Sequence, residues 1–486
     1  MIFWRVKPLD DILATAERKA LTRTLGAFQL TMLGIGAIIG TGIFVLTAEA
    51  ATKAGPAMMV SFVIAATVCA LAALCYAEIA SMIPVSGSAY TYSYGTMGEL
   101  VAWVVGWALV LEYAIAASAV SVGWSGYMVR LVEEIFNVVV PTTFTNGPFD
   151  KTPGLINLPA FGIALLVTVL LIVGTKESAR FNAVLVFIKV AALALFIALA
   201  IPAIDAANFQ PFAPNGFFAK NVMDPITGNM VTVGVAAAAA SIFFAYVGFD
   251  AVSTAAEETI NPQRNIPIGL IGSLAICTII YLLVAAGAIG AVGAQPTGAL
   301  ASSKEALAFV LREIGHGWAG DLVAIAAGLA LPSVVLMMMF GQTRIFFTMS
   351  RDGLLPAAFT KLHPKYGTPH VVTICTGIFV SLFAALFPVG ALADISNSGT
   401  LFAFALVAIG VMILRRTQPD RPRSFRTPLV WLVAPAATAG CIFLFFQLSG
   451  YTELMFLGWA VIGLVVYALY GYRKSHVGHP HLIPAE

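Results

Sequence analysis

The chain has 486 residues, of which 59% are hydrophobic and only 10% charged; the formal net charge is +2 and the mean hydropathy +0.92. A soluble domain carries about a quarter charged residues, so this composition excludes a string of soluble domains and leaves an all-α polytopic membrane protein. The five cysteines, Cys69, Cys75, Cys277, Cys375 and Cys441, all fall in apolar runs. They read as small core residues, with no disulfide or metal framework.

Twelve stretches are apolar and long enough to cross a bilayer, which takes about 20 residues. They cover 28–48, 58–83, 98–130, 156–174, 181–203 and 231–254, then 266–293, 318–350, 370–387, 397–416, 428–448 and 452–472. Met1 to Ala27 is charged and lacks the short apolar core of a cleavable signal peptide. With the N-terminus inside, nineteen of the 26 lysines and arginines fall in inner segments, Arg18, Lys19, Arg23 and Lys176 among them. Six fall outside, including Lys53, Lys304 and Arg312, and Lys189 lies within a span. The bias places both termini in the cytoplasm and the chain in the plasma (inner) membrane.

The first span carries Gly34-Ile35-Gly36-Ala37-Ile38-Ile39-Gly40-Thr41-Gly42-Ile43-Phe44. Each glycine costs a helix about 1 kcal/mol against alanine, and unpaired backbone in hydrocarbon is tolerated only against protein or a water-filled cavity. The cluster, with Gly36 and Gly40 at its centre, therefore reads as an interruption whose bare backbone contacts a ligand. Close helix packing through small residues four apart is the other reading. Span 6 repeats the oddity with Phe243-Phe244-Ala245-Tyr246-Val247-Gly248-Phe249-Asp250, a glycine and an acid in mid-span. Spans 1 and 6 each open a block of five, and five being odd, the second block enters from the opposite side. Interrupted helices at matching positions of two inverted halves point to a transporter's central site. The expected organisation is a cytoplasmic segment 1–27, a first repeat 28–203, a second repeat 231–416, two added spans over 428–472, and a cytoplasmic tail 473–486.

These motifs, with Gly248 to Glu258, Asn261-Pro262-Gln263-Arg264, Gly341-Gln342-Thr343-Arg344, Ser350 to Pro356 and Gly399-Thr400-Leu401-Phe402, resemble the amino acid–polyamine–organocation (APC) superfamily. Within it they are similar to the cationic amino acid transporter family and its bacterial members, over about residues 25 to 425. The resemblance implies the five-plus-five inverted-repeat fold of the sodium-coupled leucine transporter, with discontinuous helices 1 and 6 and two extra C-terminal helices.

An α-amino acid offers a carboxylate and an ammonium. The half-helix starting near Thr41 presents free N–H groups and a positive dipole end to the first, and the Thr41 hydroxyl adds a donor. Carbonyls from Phe244 to Val247, with that of Ile38, can accept from the second. The family pattern places ligands at the matching positions Ile38, Thr41, Gly42, Phe244, Ala245 and Val247. Phe244 is also a candidate lid, or an aromatic of a helix interface. Met337, Met338 and Met339 in span 8 are read as core packing or as lining of the side-chain pocket.

Ionisable residues inside a membrane are costly, so each invites a role. Lys189 either snorkels to the cytoplasm or places its ammonium where sodium-coupled relatives hold their second sodium ion, bridging span 1 to span 8. Proton-coupled members of the superfamily carry a lysine on this span. Glu112 in span 3 is a second proton carrier or a hydrogen-bond partner of a neighbouring helix. Asp250 is expected to cap free N–H groups after the break, or to line the inner pathway. Glu78, Glu257, Glu258 and Arg344 read chiefly as solvated ends.

The function expected is secondary active import of small neutral or cationic L-amino acids, proton-coupled, by alternating access. The rivals are a membrane sensor of the same fold and a sodium-coupled or exchange carrier. No enzyme, metal, prosthetic group or nucleic-acid partner is expected, since all six histidines lie in loops, span edges or the tail. The expected partners are the amino acid, the proton, membrane lipids, and possible association with a small membrane protein or a second copy.

Overall fold

The computed structural model describes residues 5–10, 12, 24–85, 87–174, 179–223 and 230–479. Arg18, Lys19, Arg23, Lys176 and the tail beyond residue 479 lie outside the described residues, as does the Glu257 side chain. The chain is mostly helical. Eight helices are long and apolar enough to cross a membrane, and four shorter apolar helices, Ala27–Ile38, Leu158–Val173, His370–Leu386 and Val430–Phe445, join them.

Span 1 is broken into α1 (Ala27–Ile38), α2 (Thr41–Phe44) and α3 (Leu46–Ala54). Ile39 turns extended at ψ 98°, so α1 stops there, and Gly40 lies at φ −152° before α2 begins. The interruption is thus at Ile39–Gly40. Gly36, expected within it, stays in the last turn of α1. A turn over Gly55–Ala57 leads to α4 (Met58–Met82), then α5 (Ser88–Thr96) and α6 (Glu99–Phe136). The 38-residue α6 is the spine: 78% of its most apolar window is buried, against α14 and α16 above all. After α7 (Leu158–Val173) and α8 (Ala179–Ala200), the connection holds an antiparallel hairpin, β1 (Lys220–Met223) with β2 (Met230–Val233), which a purely helical expectation missed.

Span 6 consists of α9 (Val235–Ile242), a tight 3-10 turn over Phe243–Tyr246, and α10 (Ala251–Thr254). Val247 is extended at ψ 137° and Gly248 has φ +115°, a conformation that glycine adopts without strain. Next come α11 (Pro262–Val292), α12 (Ala299–Ser302), α13 (Ala306–Glu313), α14 (Gly317–Arg351), α15 (His370–Leu386), α16 (Val389–Thr417), α17 (Val430–Phe445) and α18 (Gly450–Val466). Helix α16 starts eight residues before the expected 397, because its polar opening Asp394-Ile395-Ser396-Asn397-Ser398 is buried helix and not loop. At the periphery, only 22% of the window containing α18 is buried. Trp107 and Trp459 hold α18 to α6, each indole donating to the other's carbonyl at 2.8 Å. Four cysteines are core residues as expected, but Cys375 is exposed on the outer face of α15.

Candidate functional site

The two interruptions cross in the middle of the helix bundle. A Cβ on Gly42 would stand 2.2 Å from the Ala245 Cα, and one on Gly248 would stand 2.9 Å from the Ala37 carbonyl oxygen. Only glycine permits these approaches, so the sequence at both breaks is set by backbone packing on backbone. Ile38, Thr41, Gly42, Phe244, Ala245 and Val247 come together here and are all buried.

A helix end leaves its last carbonyls without intrahelical partners, and at α1 these are taken by side chains from other helices. The Lys189 ammonium, carried by α8, donates to the Gly36 carbonyl at 2.8 Å. Lys189 is 1% exposed, so it does not snorkel toward the surface. The Tyr281 hydroxyl of α11 donates to the Ile38 carbonyl at 2.9 Å. At α9 the equivalent task falls to Asn397, whose amide donates to the carbonyls of Ala240 at 2.7 Å and Ser241 at 3.0 Å. On the far side of the gap, the Thr41 hydroxyl is buried without a hydrogen-bond partner among the described residues, beside Gly123 of α6. A buried donor left open at a half-helix N-terminus is suited to an anionic group of a ligand. Val334 of α14 lies against Gly40, while Met338 and Met339 are buried in the core.

Two carboxyls sit deeper in the bundle. Both oxygens of Glu112 are buried without a hydrogen-bond partner among the described residues. Asp250 accepts from the Tyr113 hydroxyl at 2.9 Å and makes no side-chain cap to α10, contrary to the expected capping role. The reason is geometric: φ/ψ of −65°/−22° already put Asp250 in a helical turn, so its carboxyl faces α6.

Sequence reasoning missed a polar knot at one end of the molecule. Lys53, counted among the outer lysines, is buried in α3, its ammonium 2.5 Å from the Ser241 hydroxyl and 2.9 Å from Asp394, with Glu49 at 3.8 Å. Ser241 also bonds Asp394. The knot ties α3, α9 and α16, and the i,i+4 spacing of Glu49 and Lys53 on α3 is a local signature of it. At the other end Glu78, read as solvated, is 1% exposed. Arg415 grips it at 2.6 and 2.9 Å, Arg423 at 3.2 Å, and the Thr427 N–H at 2.8 Å, because two arginines and a loop amide replace its water. Lys7 pairs with Asp352 at 3.0 Å and Tyr90 donates to the same carboxylate. Arg344 lies 4.1 Å over the Phe340 ring, and Glu258 is half-buried.

Many apolar helices around two interrupted segments, with polar groups turned inward to those segments, define a polytopic membrane protein with an internal polar site. Comparison with known proteins gives the family. A family model described as amino acid permease matches residues 25–470, and the chain belongs to that family. It is 46% identical over 474 residues to the branched-chain amino acid permease BcaP of Bacillus subtilis, covering 97% of this chain and 98% of the relative. It is 44% identical to the methylthioribose transporter of the same organism, with the same coverage. It is also 35% identical to the human cationic amino acid transporter 4, over 86% of this chain and 64% of that one. Relatives bearing such names are permeases and transporters, a family that is not enzymatic.

Proposed function

We propose that the protein is a secondary carrier that imports neutral L-amino acids, branched or small, in symport with protons by alternating access. The observation that carries this reading is the buried Lys189 ammonium on the Gly36 carbonyl. A cation at that point holds the end of α1 in place, and its loss or return of a proton changes the hold. In this scheme the substrate carboxylate meets the N–H groups of Thr41 and Gly42 and the Thr41 hydroxyl. The ammonium meets the carbonyls of Ile38 and of Phe244 to Val247, with Phe244 as lid. Glu112 carries a second proton, since an unpartnered carboxylate costs several kcal/mol in such surroundings. Gly40 and Gly248 provide the bends about which α2 and α10 shift.

The same reading makes the fold one of twelve spans: a five-plus-five inverted repeat over 28–203 and 231–416, and two added spans over 428–472. Both termini are cytoplasmic in the plasma membrane, as the lysine and arginine bias requires. Neutral substrates are favoured over cationic ones because Asp394 is already paired with Lys53 and Glu112 is held here as a neutral, protonated acid. Val334 against Gly40 adds apolar lining, and one relative is named a branched-chain permease. A second reading, a thioether sugar as substrate, rests on the relative named a methylthioribose transporter.

Uptake into proteoliposomes of radiolabelled leucine, alanine, arginine and methylthioribose, under a proton gradient and then a sodium gradient, tests the scheme. Proton-driven leucine or alanine uptake without sodium is the expected result. A sodium requirement would overturn the role of Lys189. Methylthioribose uptake alone would favour the second reading, and binding without flux would make the protein a sensor.

A further inference from the structure

The connection between α11 and α14 forms a cap, α12 and α13, over the end of the span-1 half-helices. The Thr52 hydroxyl of α3 donates to the Ala301 carbonyl of α12 at 3.1 Å. Residue 304 presses on α6 so closely that a Cβ on Gly126 would be 3.0 Å from the Lys304 carbonyl oxygen. Next to that contact, the Tyr127 hydroxyl of α6 donates to the Phe44 carbonyl of α2 at 2.8 Å, with the two rings edge-on at 6.1 Å. The first-turn N–H groups of α13, at Leu307 and Ala308, turn toward the same hydroxyl. One oxygen thus faces the N-terminus of the cap helix and holds the last residue of the half-helix that begins at Thr41.

The residue preceding α13 is Glu305, 4% exposed. One of its oxygens pairs with Arg312 of α13 and with Arg130 of α6 at 3.7 Å, and the other oxygen is buried without a hydrogen-bond partner among the described residues. Arg312 reaches on to Glu134 of α6 at 2.6 Å and to Asp321 of α14 at 3.1 Å. Glu133 pairs with Arg130 at 3.0 Å, and Lys304 pairs with Asp150 at 3.7 Å and donates to Asn146 at 2.5 Å. These groups, with Tyr127, are the titratable surroundings of Glu305.

We propose that Tyr127 is a positioning residue that clasps the α12–α13 cap to the Thr41 half-helix, and that Glu305 is the latch which makes this docking depend on acidity. Its sign follows from burial. Desolvation pushes the docked Glu305 carboxyl up to about 7, with Arg312 opposing it, whereas in water it would return to about 4.3. The docked cap therefore binds the extra proton. Docking is strongest below about pH 4.3, weakens as pH rises from there to about 7, by up to on the order of 100-fold in the equilibrium, and stays level above that. Acid on the side that the cap faces seals it over a loaded site, and neutrality releases it. The inference depends on the proposed orientation only for which compartment is sensed.

The test uses the full chain in lipid nanodiscs, with the exposed Cys375 replaced by serine and spin labels at Ser302→Cys on α12 and Ile135→Cys on α6. We expect the distance distribution to lengthen as pH rises from about 4.3 to about 7 and to change no further at higher pH. Glu305→Gln, which mimics the neutral acid, should keep the short distance throughout. Tyr127→Phe, which keeps the ring on Phe44 and removes the hydroxyl, should show a long-distance population at every pH. A distribution that does not move with pH, one that lengthens only above about pH 7, or an unchanged pH response in Glu305→Gln would overturn the proposal. Because the readout is a distance and not a flux, it stands or falls independently of the substrate and of proton coupling.

Discussion

The two interrupted spans solve one problem with different chemistry. At span 1 the freed carbonyls of α1 are taken by a lysine, Lys189 on Gly36, and by a phenol, Tyr281 on Ile38. At span 6 the freed carbonyls of α9, at Ala240 and Ser241, are both taken by the Asn397 amide. An amide cannot give up its donors over any accessible pH, whereas an ammonium can. The first break therefore rests on a partner able to change charge, and the second on one that cannot. Under the proposed carrier scheme, α1 would be the moving, proton-linked part and α9 with α16 the fixed reference, tied together by the Lys53–Ser241–Asp394 knot.

Removing the titratable partner should have the largest effect. Lys189→Ala leaves the Gly36 carbonyl buried without its donor, at about 1–3 kcal/mol, and should cut gradient-driven uptake by up to about 100-fold, the factor that about 2.7 kcal/mol represents. Purified protein should still elute as a folded monodisperse species. Full, pH-dependent uptake by this variant would remove the distinction between the two breaks. Gly42→Ala comes next. Its methyl meets the Ala245 Cα and Cβ at 2.2 and 2.5 Å, and overpacking of backbone on backbone costs about 1–3 kcal/mol. A loss of uptake of about tenfold or more is expected, with a lowered thermal midpoint.

The amide can also be converted into the other kind of partner. Asn397→Asp replaces a permanent donor by a group that donates only when protonated, facing two carbonyls. Uptake by this variant should fall about tenfold at pH 8 and recover partly toward pH 5, while Asn397→Ala should be depressed evenly across that range. Equal pH profiles for the two variants would mean that the carbonyls at span 6 find another donor, such as water.

How far this contrast was legible in the sequence depended on whether its cause was local. Glycines at 40, 42 and 248 announced that two spans are interrupted, because a helix tolerates such residues poorly. They did not say which peptide breaks: Gly36 was placed in the interruption yet remains helical, since the same residue type also serves close packing. The partners of the breaks were harder. Lys189 stood out as a charge in an apolar run, but Asn397 is only the first residue of the expected span 397–416, 157 residues from the carbonyl it serves. Lys53, counted among the outer lysines, meets Asp394, 341 residues away, only through the fold. Glu78 misled for the same reason, its partners Arg415 and Arg423 being more than 330 residues away.

The smallest effect is expected at Tyr281, which separates the titratable from the merely polar support of α1. Tyr281→Phe removes the hydroxyl from Ile38 and little else, because the ring keeps its contacts with Phe62 and Tyr246 at 6.2 and 5.4 Å. A neutral hydrogen bond contributes about 0.5–1.5 kcal/mol net, so uptake should fall by about two- to tenfold. If Lys189 alone links α1 to the proton, the pH profile of uptake should keep its midpoint and shape. A shifted midpoint would show that the phenol shares in setting the charge of that site. The Ile38 carbonyl left open by the mutation is also the acceptor proposed for the substrate ammonium. The loss should therefore appear mainly as altered apparent affinity, with maximal velocity preserved.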